Sequence, residues 1–351
     1  MLEKNQTQKV TDGSTAIQAA GNISISQNGM SYMEVREIAL DVFRANFFQL
    51  VGPAMETAKA RAEEITEDFL RKLQSENPTG LEKGQNPDFQ HALFTVQKEY
   101  ARTGDKDLGD LLVDLLVDRS KQDKRDILQI VLNESLKTAP KLTSEQCAAL
   151  SLIFLFKYTA PTRFTGYYPL ANFLNTYVGL FHNQMTITEP GYQHLEFAGC
   201  GRTQLNYISL EGVLETNYQG FFLKGFDSAE VANRGVSVDA YLKFFGPCLN
   251  DILKTQVLAT NKKSLEAALD AAKVSVEDRA QILELFDFGK FSAPEIKSKC
   301  LEVCPFMEKV FEVWNTSPMN SFTLTSVGMA IGHANIKRLL GEFASLEIWI
   351  N

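Results

Sequence analysis

The spacing of apolar and polar residues marks out helices before any other signal does. Placed at about 100° per residue, Glu34, Glu37, Asp41 and Arg44 form one narrow polar stripe, while Val35, Ile38, Leu40, Val42, Phe43 and Phe47 cover most of the remaining circumference. Such a helix needs partners on more than one side. Ser31 stands three residues ahead of Glu34, so hydroxyl and carboxylate can satisfy each other's backbone amides and set the start. Before it, alternation through Ile23 and Ile25 predicts a short strand that Asn28 and Gly29 turn into the helix. A second helix is predicted from Pro53, suited to a first helical position, to the stop ahead of Asn77 and Pro78. Its apolar positions Met55, Ala58, Ala62, Ile65 and Phe69 form a seam, with Glu67 to Arg71 and Asp68 to Lys72 as outward pairs. The seam fits packing within its own domain and pairing with another copy equally well, because fewer than three heptads do not decide.

Residues 75 to 88, rich in Asn, Pro and Gly, predict a linker. Beyond it Leu108, Leu111, Leu112, Leu115 and Leu116 repeat at core spacing, and Asp110, Asp114 and Asp118 fall on the opposite face. Three carboxylates one turn apart could hold a divalent cation, but oxygen sites recruit a second element and none is recognisable, so a solvated acidic face and no metal are expected. Thr143 with Gln146 makes a second capping box, and the run from Cys147 to Phe156, apolar nearly all round, predicts a buried central helix. Leu170, Phe173, Leu174, Tyr177 and Phe181 read as core. The most enzyme-like cluster is His182, His194, Glu196 and Cys200, which hold the residue types of a nucleophile, base and orienter. A helix from Thr188 to a Gly199 stop would send His194 and Glu196 to different faces, so a packed helix and no catalytic residue are expected.

From Ser237 a helical stretch with a kink at Gly246 and Pro247 is predicted through Ala272. Ser275 with Asp278, Ser292 with Pro294, and Pro305 then open three helices, followed by a short strand at Phe322 to Thr325 and a helix from Ser326. Leu346, Ile348 and Ile350 alternate as a last strand. Three such helices and a strand ending in Leu324-Thr-Ser-Val-Gly resemble a winged helix over residues 275 to 340. That resemblance implies a groove-reading third helix, which here carries Glu308 and Glu312 against Lys309 and no Arg. Nucleic-acid contact, if made, falls to Lys309, Lys337 and Arg338, and a protein-contact role is favoured.

Composition narrows the classes. The 351 residues are 44% hydrophobic and 10% aromatic, enough for real cores, and the formal charge of -8 argues against sequence-independent nucleic-acid binding. Five scattered cysteines without a Cys-x-x-Cys pair fit reduced thiols, and no apolar run reaches a membrane span, so a cytoplasmic protein is expected. Phosphate-loop, Rossmann, His-Glu-x-x-His and Gly-x-Ser-x-Gly patterns are missing, which removes support for ATP hydrolysis, hydride transfer and the common hydrolases, and no cofactor is implied.

The Gly-Asn-Ile-Ser-Ile stretch before Ser31, the Asp107-Leu-Gly-Asp-Leu-Leu-Val-Asp run, Lys141-Leu-Thr and the Trp349-Ile-Asn ending together resemble a family of uncharacterised bacterial proteins, over nearly the whole chain. That family brings no assigned activity. Its N-terminal motif is similar to short strands on proteins of bacterial conflict and antiphage systems. The expected fold is mainly α, multi-helical, with a short N-terminal β segment and a winged-helix-like C-terminal domain. Expected units are a lead and β segment (1–30), long oligomerising helices (31–76), a helical core (89–235) and a helical, winged-helix-like domain with a terminal strand (236–351). The expected function is a non-enzymatic, self-associating interaction protein, a sensor or scaffold in antiphage defence, with a protein partner. Association is placed on Ile23, Ile25, Val35, Val42, Phe43, Phe47, Met55 and Ile65. The alternatives are a DNA-binding regulator and a hydrolase using Cys200 with His194.

Overall fold

The computed structural model describes residues 30–46, 51–159, 168–185 and 188–350. The expected strand with Ile23 and Ile25, and Phe47, lie outside them.

The chain is mainly helical. It opens with α1 (Tyr32–Asn46) and α2 (Pro53–Glu76). The Ser31 amide donates to Glu34 Oε2 at 2.7 Å and the Glu34 amide to Ser31 Oγ at 3.3 Å, so the box forms as its spacing predicts. The polar stripe of α1 faces outward, and Val35, Ala39, Leu40 and Phe43 are buried. The outward pairs expected on α2 are replaced: Arg71 meets Asp68 instead, Lys72 turns inward to Asp114, and Glu67 takes Arg36 and Tyr32. Long side chains go where a second element offers a partner, which helical spacing alone does not reveal.

Residues 78–85, read as linker, form a 3-10 helix that packs on α1 and α2, with Gly80 and Gly84 buried. Next come α3 (Pro87–Thr103), α4 (Lys106–Ser120), α5 (Ile127–Thr138) and α6 (Ser144–Tyr158). The Thr143–Gln146 box caps α6, and every residue from Gln146 to Phe156 is buried, as its all-round apolar pattern requires. Then follow α7 (Tyr168–Phe173), continued by a π turn, α8 (Glu189–Phe197), β1 (Gly201–Thr203) and α9 (Leu210–Asn217).

A smaller unit follows: α10 (Ser228–Asn233), α11 (Val238–Phe244), β2 (Phe245–Pro247), β3 (Thr255–Val257), α12 (Lys262–Ala271) and α13 (Val276–Asp287). The kink expected at Gly246 and Pro247 is a strand. Phe245 to Pro247 pair antiparallel with Val257 to Thr255, closing a hairpin where a bent helix was expected. Proline at the strand end costs the ladder no donor it needs.

The chain ends with α14 (Ala293–Val303), α15 (Met307–Thr316), β4 (Phe322–Leu324) and α16 (Ser326–Leu340). Three helices and a strand thus follow in the expected order. The strand, however, pairs antiparallel with β1, more than a hundred residues earlier, and α16 packs against α4, α5 and α6 at the molecule's centre. Gly328 has a packing reason: a Cβ there would overlap the Cys200 carbonyl, and one at Gly332 would lie 2.8 Å from the Leu150 oxygen. Leu346–Ile348 is a 3-10 turn where a strand was expected. Trp349 instead sits edge-on to Phe154 at 4.9 Å and donates to the Tyr158 carbonyl at 2.7 Å, which fixes the chain end by side-chain packing rather than by a ladder.

Two main cores result. The larger runs from Val35 to Ile350 through α6 and α16; the smaller, from Leu223 to Phe286, holds Phe244, Val257, Leu265, Ile282 and Phe286.

Candidate functional site

The densest polar chemistry lies where α2, α4 and α16 meet. Lys337, near the end of α16 and only 6% exposed, puts its ammonium 2.8 Å from Glu76, 2.9 Å from Asp118 and 3.6 Å from Asp114. Lys72 lies 2.7 Å from Asp114, and Lys121 reaches Glu76 at 3.2 Å and Asp118 at 2.8 Å. Three lysines thus face three carboxylates. The acidic face expected to be solvated is therefore largely internal: Asp114 is fully buried and Asp118 half-buried, leaving Asp110 at the surface. Helix α4 touches α2, α3, α5 and α16, so the face opposite its leucines is also covered.

Burial pushes Asp118 up, yet the charges of Lys337 and Lys121 outweigh it and hold this carboxyl below its ordinary value; Glu76 behaves alike. For Asp114 burial wins and its pKa is raised, in keeping with the poor angle of its Lys72 contact, which leaves both oxygens without a well-directed hydrogen bond. Burial alone would lower Lys337, but Asp118, Glu76 and Asp114 raise it. Beside the cluster a cavity of about 200 Å³ is lined by Asp118, Lys121, His333, Lys337, Phe343 and Leu346. Burial holds His333 below the usual imidazole range, while its Nε2 lies 2.6 Å from the Ala344 carbonyl. The arrangement neutralises itself and presents no free acid or base to a substrate, so its chemistry is that of a three-way clamp.

The enzyme-like cluster does not assemble into a relay. Burial pushes the Cys200 thiol up to about 12, the reverse of an activated thiolate. His194 Nδ1 sits 3.0 Å from the Gln146 carboxamide, and the Glu196 carboxylate accepts the Thr203 amide. Among the described residues no group of three His, Cys, Asp or Glu could hold a metal. One amine stands out: Lys157, over the Trp314 ring, donates to the Met319, Asn320 and Phe322 carbonyls at 2.9 to 3.2 Å, and burial pulls it down to about 8.

Of the residues expected to associate, Val35, Phe43 and Ile65 are buried within the chain, and Val42 and Met55 are half-buried. Lys309 is exposed. Lys337 is consumed by the clamp, and Arg338 pairs with Asp107 at 2.9 Å. Bare apolar side chains lie elsewhere. Phe197, Leu205 and Tyr207 are 88, 102 and 78% exposed, and Val238, Leu242, Ile252, Leu253 and Val276 are each 74% or more. One signal in the sequence points to them: Ile252 and Leu253 follow Asn250 and Asp251 in a turn, where apolar residues have no element to hide in.

A protein-family model whose description is the bare suffix ":-like", and carries no activity, matches residues 29–350. The chain belongs to that family. This agrees with the coarse expectation of a family without an assigned activity. No curated protein and no solved structure matches the chain. Among the described residues no helix is long and apolar enough to cross a membrane.

Proposed function

We propose that this chain is a non-enzymatic, self-associating interaction protein whose contact face lies within residues 197–288. The supporting observation is the concentration of bare apolar side chains there. Val238 and Leu242 stand one turn apart on α11, and the Ser237 hydroxyl and amide bind Asp278 at 2.6 and 2.8 Å, bringing the start of α13, with Val276, to the same end. Large apolar side chains left in water at this density favour a contact that removes them, each worth about 1.5–3 kcal/mol when fully covered. Several charges around them are paired among themselves: Arg234 with Glu230 and Glu284, Lys243 with Asp239, Lys262 with Asp287, Arg279 with Asp270. With these cations taken up by carboxylates of the same segment, apolar burial rather than charge attraction drives the contact, and an isologous contact with a second copy is the simplest pairing.

A role as sensor or scaffold in antiphage defence rests on the Gly-Asn-Ile-Ser-Ile resemblance and takes this association as its physical basis. The winged-helix reading, a DNA-binding regulator, gains little from the same surfaces: α15 shows Glu308 and Glu312 beside Lys309, and no shift of duplex DNA at low salt is expected. Light scattering on the purified chain tests the main reading. A mass at least twice 39.2 kDa is expected, returning to one copy in the Leu242→Asp, Leu253→Asp double variant. A strictly monomeric wild type at about 100 μM, a concentration well above that of typical specific dimers, would sink it.

A further inference from the structure

Residues 341–350 form a strap folded back over α16. Gly341 leaves the helix at φ 84°, in the left-handed region that a glycine enters freely. The chain reverses there, so that Ala344 meets His333, about two turns up the helix. The strap holds one 3-10 turn and no strand, and side chains tie it down. His333 Nε2 lies 2.6 Å from the Ala344 carbonyl, the Trp349 indole donates to the Tyr158 carbonyl at 2.7 Å, and Gln122 donates to Glu347 at 3.3 Å. Phe343 stacks on Trp349 at 6.1 Å, and both rings pack on Phe154. The cavity of about 200 Å³ lies between the strap and α4, α5 and α16, so the packing beneath it is incomplete.

His333 is the polar group under this strap, and it is 2% exposed. A carbonyl only accepts, so Nε2 carries the proton and Nδ1 keeps its lone pair. Among the described residues that Nδ1 is buried without a hydrogen-bond partner. Phe154, Phe343 and Trp349 surround the ring at 5.3 to 6.1 Å between centroids. The charged groups facing it are Asp118 and Lys121 from α4, Lys337 from α16 and Glu347 from the strap. Helix α6 brings Phe154 and Tyr158, whose phenol burial keeps neutral; α5 brings Leu128 and Leu132, and β4 has no ionisable side chain. Asp118 favours a proton on the ring, but it is already bonded to Lys337 and Lys121, whose charges oppose one. A second ring proton would therefore be a buried donor without an acceptor, on a cation without a counterion of its own. Lifting the strap gives that ring to water.

We propose that His333 is an acid-sensitive latch: a proton on its Nδ1 releases residues 341–350 while the helices beneath stay folded, and bares the aromatic surface of Phe154, Phe343 and Trp349. Under the strap, burial holds the imidazole below its ordinary 6.5, and in water it returns toward that value. Docking is thus complete above the higher value and weakens about tenfold for each pH unit between the two. The opening is local, below the threshold of global unfolding. The contact face within residues 197–288 plays no part in it, and each reading stands without the other.

Acrylamide quenching of tryptophan fluorescence on the full chain tests the latch. Of the two tryptophans Trp314 is sealed in the core, so a change reads Trp349. The quenching constant is expected to be at least about twofold higher at about pH 5 than at about pH 7.5, with unchanged helical circular dichroism. His333→Phe, which keeps a ring and loses the titration, is expected to quench alike at both values. His333→Gln, whose carboxamide can still donate to Ala344, is expected to do the same and keeps the test alive should His333→Phe not fold. Quenching that does not change with pH overturns the proposal. So does an equal rise in both variants, or a loss of helical signal in step with the quenching.

Discussion

The two cores of this molecule handle the same problem with opposite results. Around α6 and α16 burial is so complete that residues 330–337 are all buried in succession, and even charged groups are taken inside, Lys337 matched by carboxylates. Between Leu223 and Phe286 a much smaller core sits under a skin that leaves Val238, Leu242, Ile252 and Leu253 in water. Surface grows relative to volume as a unit shrinks, so the small core cannot cover its own apolar complement. Where a chain saturates burial it must neutralise its charges internally, and where it falls short it retains apolar surface for another molecule.

Four experiments can break or sharpen this contrast. Lys337→Met should be the most damaging, since it strands Glu76, Asp118 and Asp114 in the interior; a loss of about 3–5 kcal/mol, read from the urea midpoint, is expected. A loss below about 1 kcal/mol, the range of surface pairs, would show that the clamp is solvated. Phe286→Ala should cost about 3 kcal/mol and strip hydrogen-exchange protection from residues 223–286 while α6 and α16 keep theirs. Joint loss of protection in both cores would end the distinction between them.

Acid should act next. Burial holds His333 below its ordinary value, so as pH falls below about 6.5 the unfolded chain takes up that proton first and stability declines. Glu76 and Asp118, held below the usual carboxylate range, extend the decline through about pH 4, while Asp114, raised by burial, opposes it. Lys157, pulled down to about 8 from 10.5, adds stability as pH rises between those values. A His333→Phe variant whose urea midpoint still fell between pH 6.5 and 5 would remove the imidazole from this account. Smallest of all, Leu253→Asp should change monomer stability by less than about 0.5 kcal/mol, yet lower the mass seen by light scattering.

Local signals were read well. The boxes at Ser31 and Glu34 and at Thr143 and Gln146 form because cap and partner are three residues apart, Ser275 caps α13 on the Asp278 amide, and α14 starts after Ser292 with Pro294 in its first turn. The buried α6 follows from a run with no polar face. Errors came where a partner distant in sequence changed the meaning of a residue. Asp114 and Asp118 looked solvated because α4 was judged alone, and the glycine of Leu324-Thr-Ser-Val-Gly looked like a wing signature when it makes room for the Cys200 carbonyl. The cavity beside Lys337 was invisible for the same reason, since Asp118, His333 and Leu346 meet only in the folded chain.

Helix starts, the central apolar segment and the lack of common catalytic motifs were written in the chain's order of residues, because caps and periodicity act over three to seven positions. Which carboxylates go inside, which face stays bare and where a cavity opens depended on helices separated by up to about two hundred and sixty residues, as between Glu76 and Lys337. Charge pairing and exclusion of water are properties of neighbours in space, and no spacing along one helix encodes them.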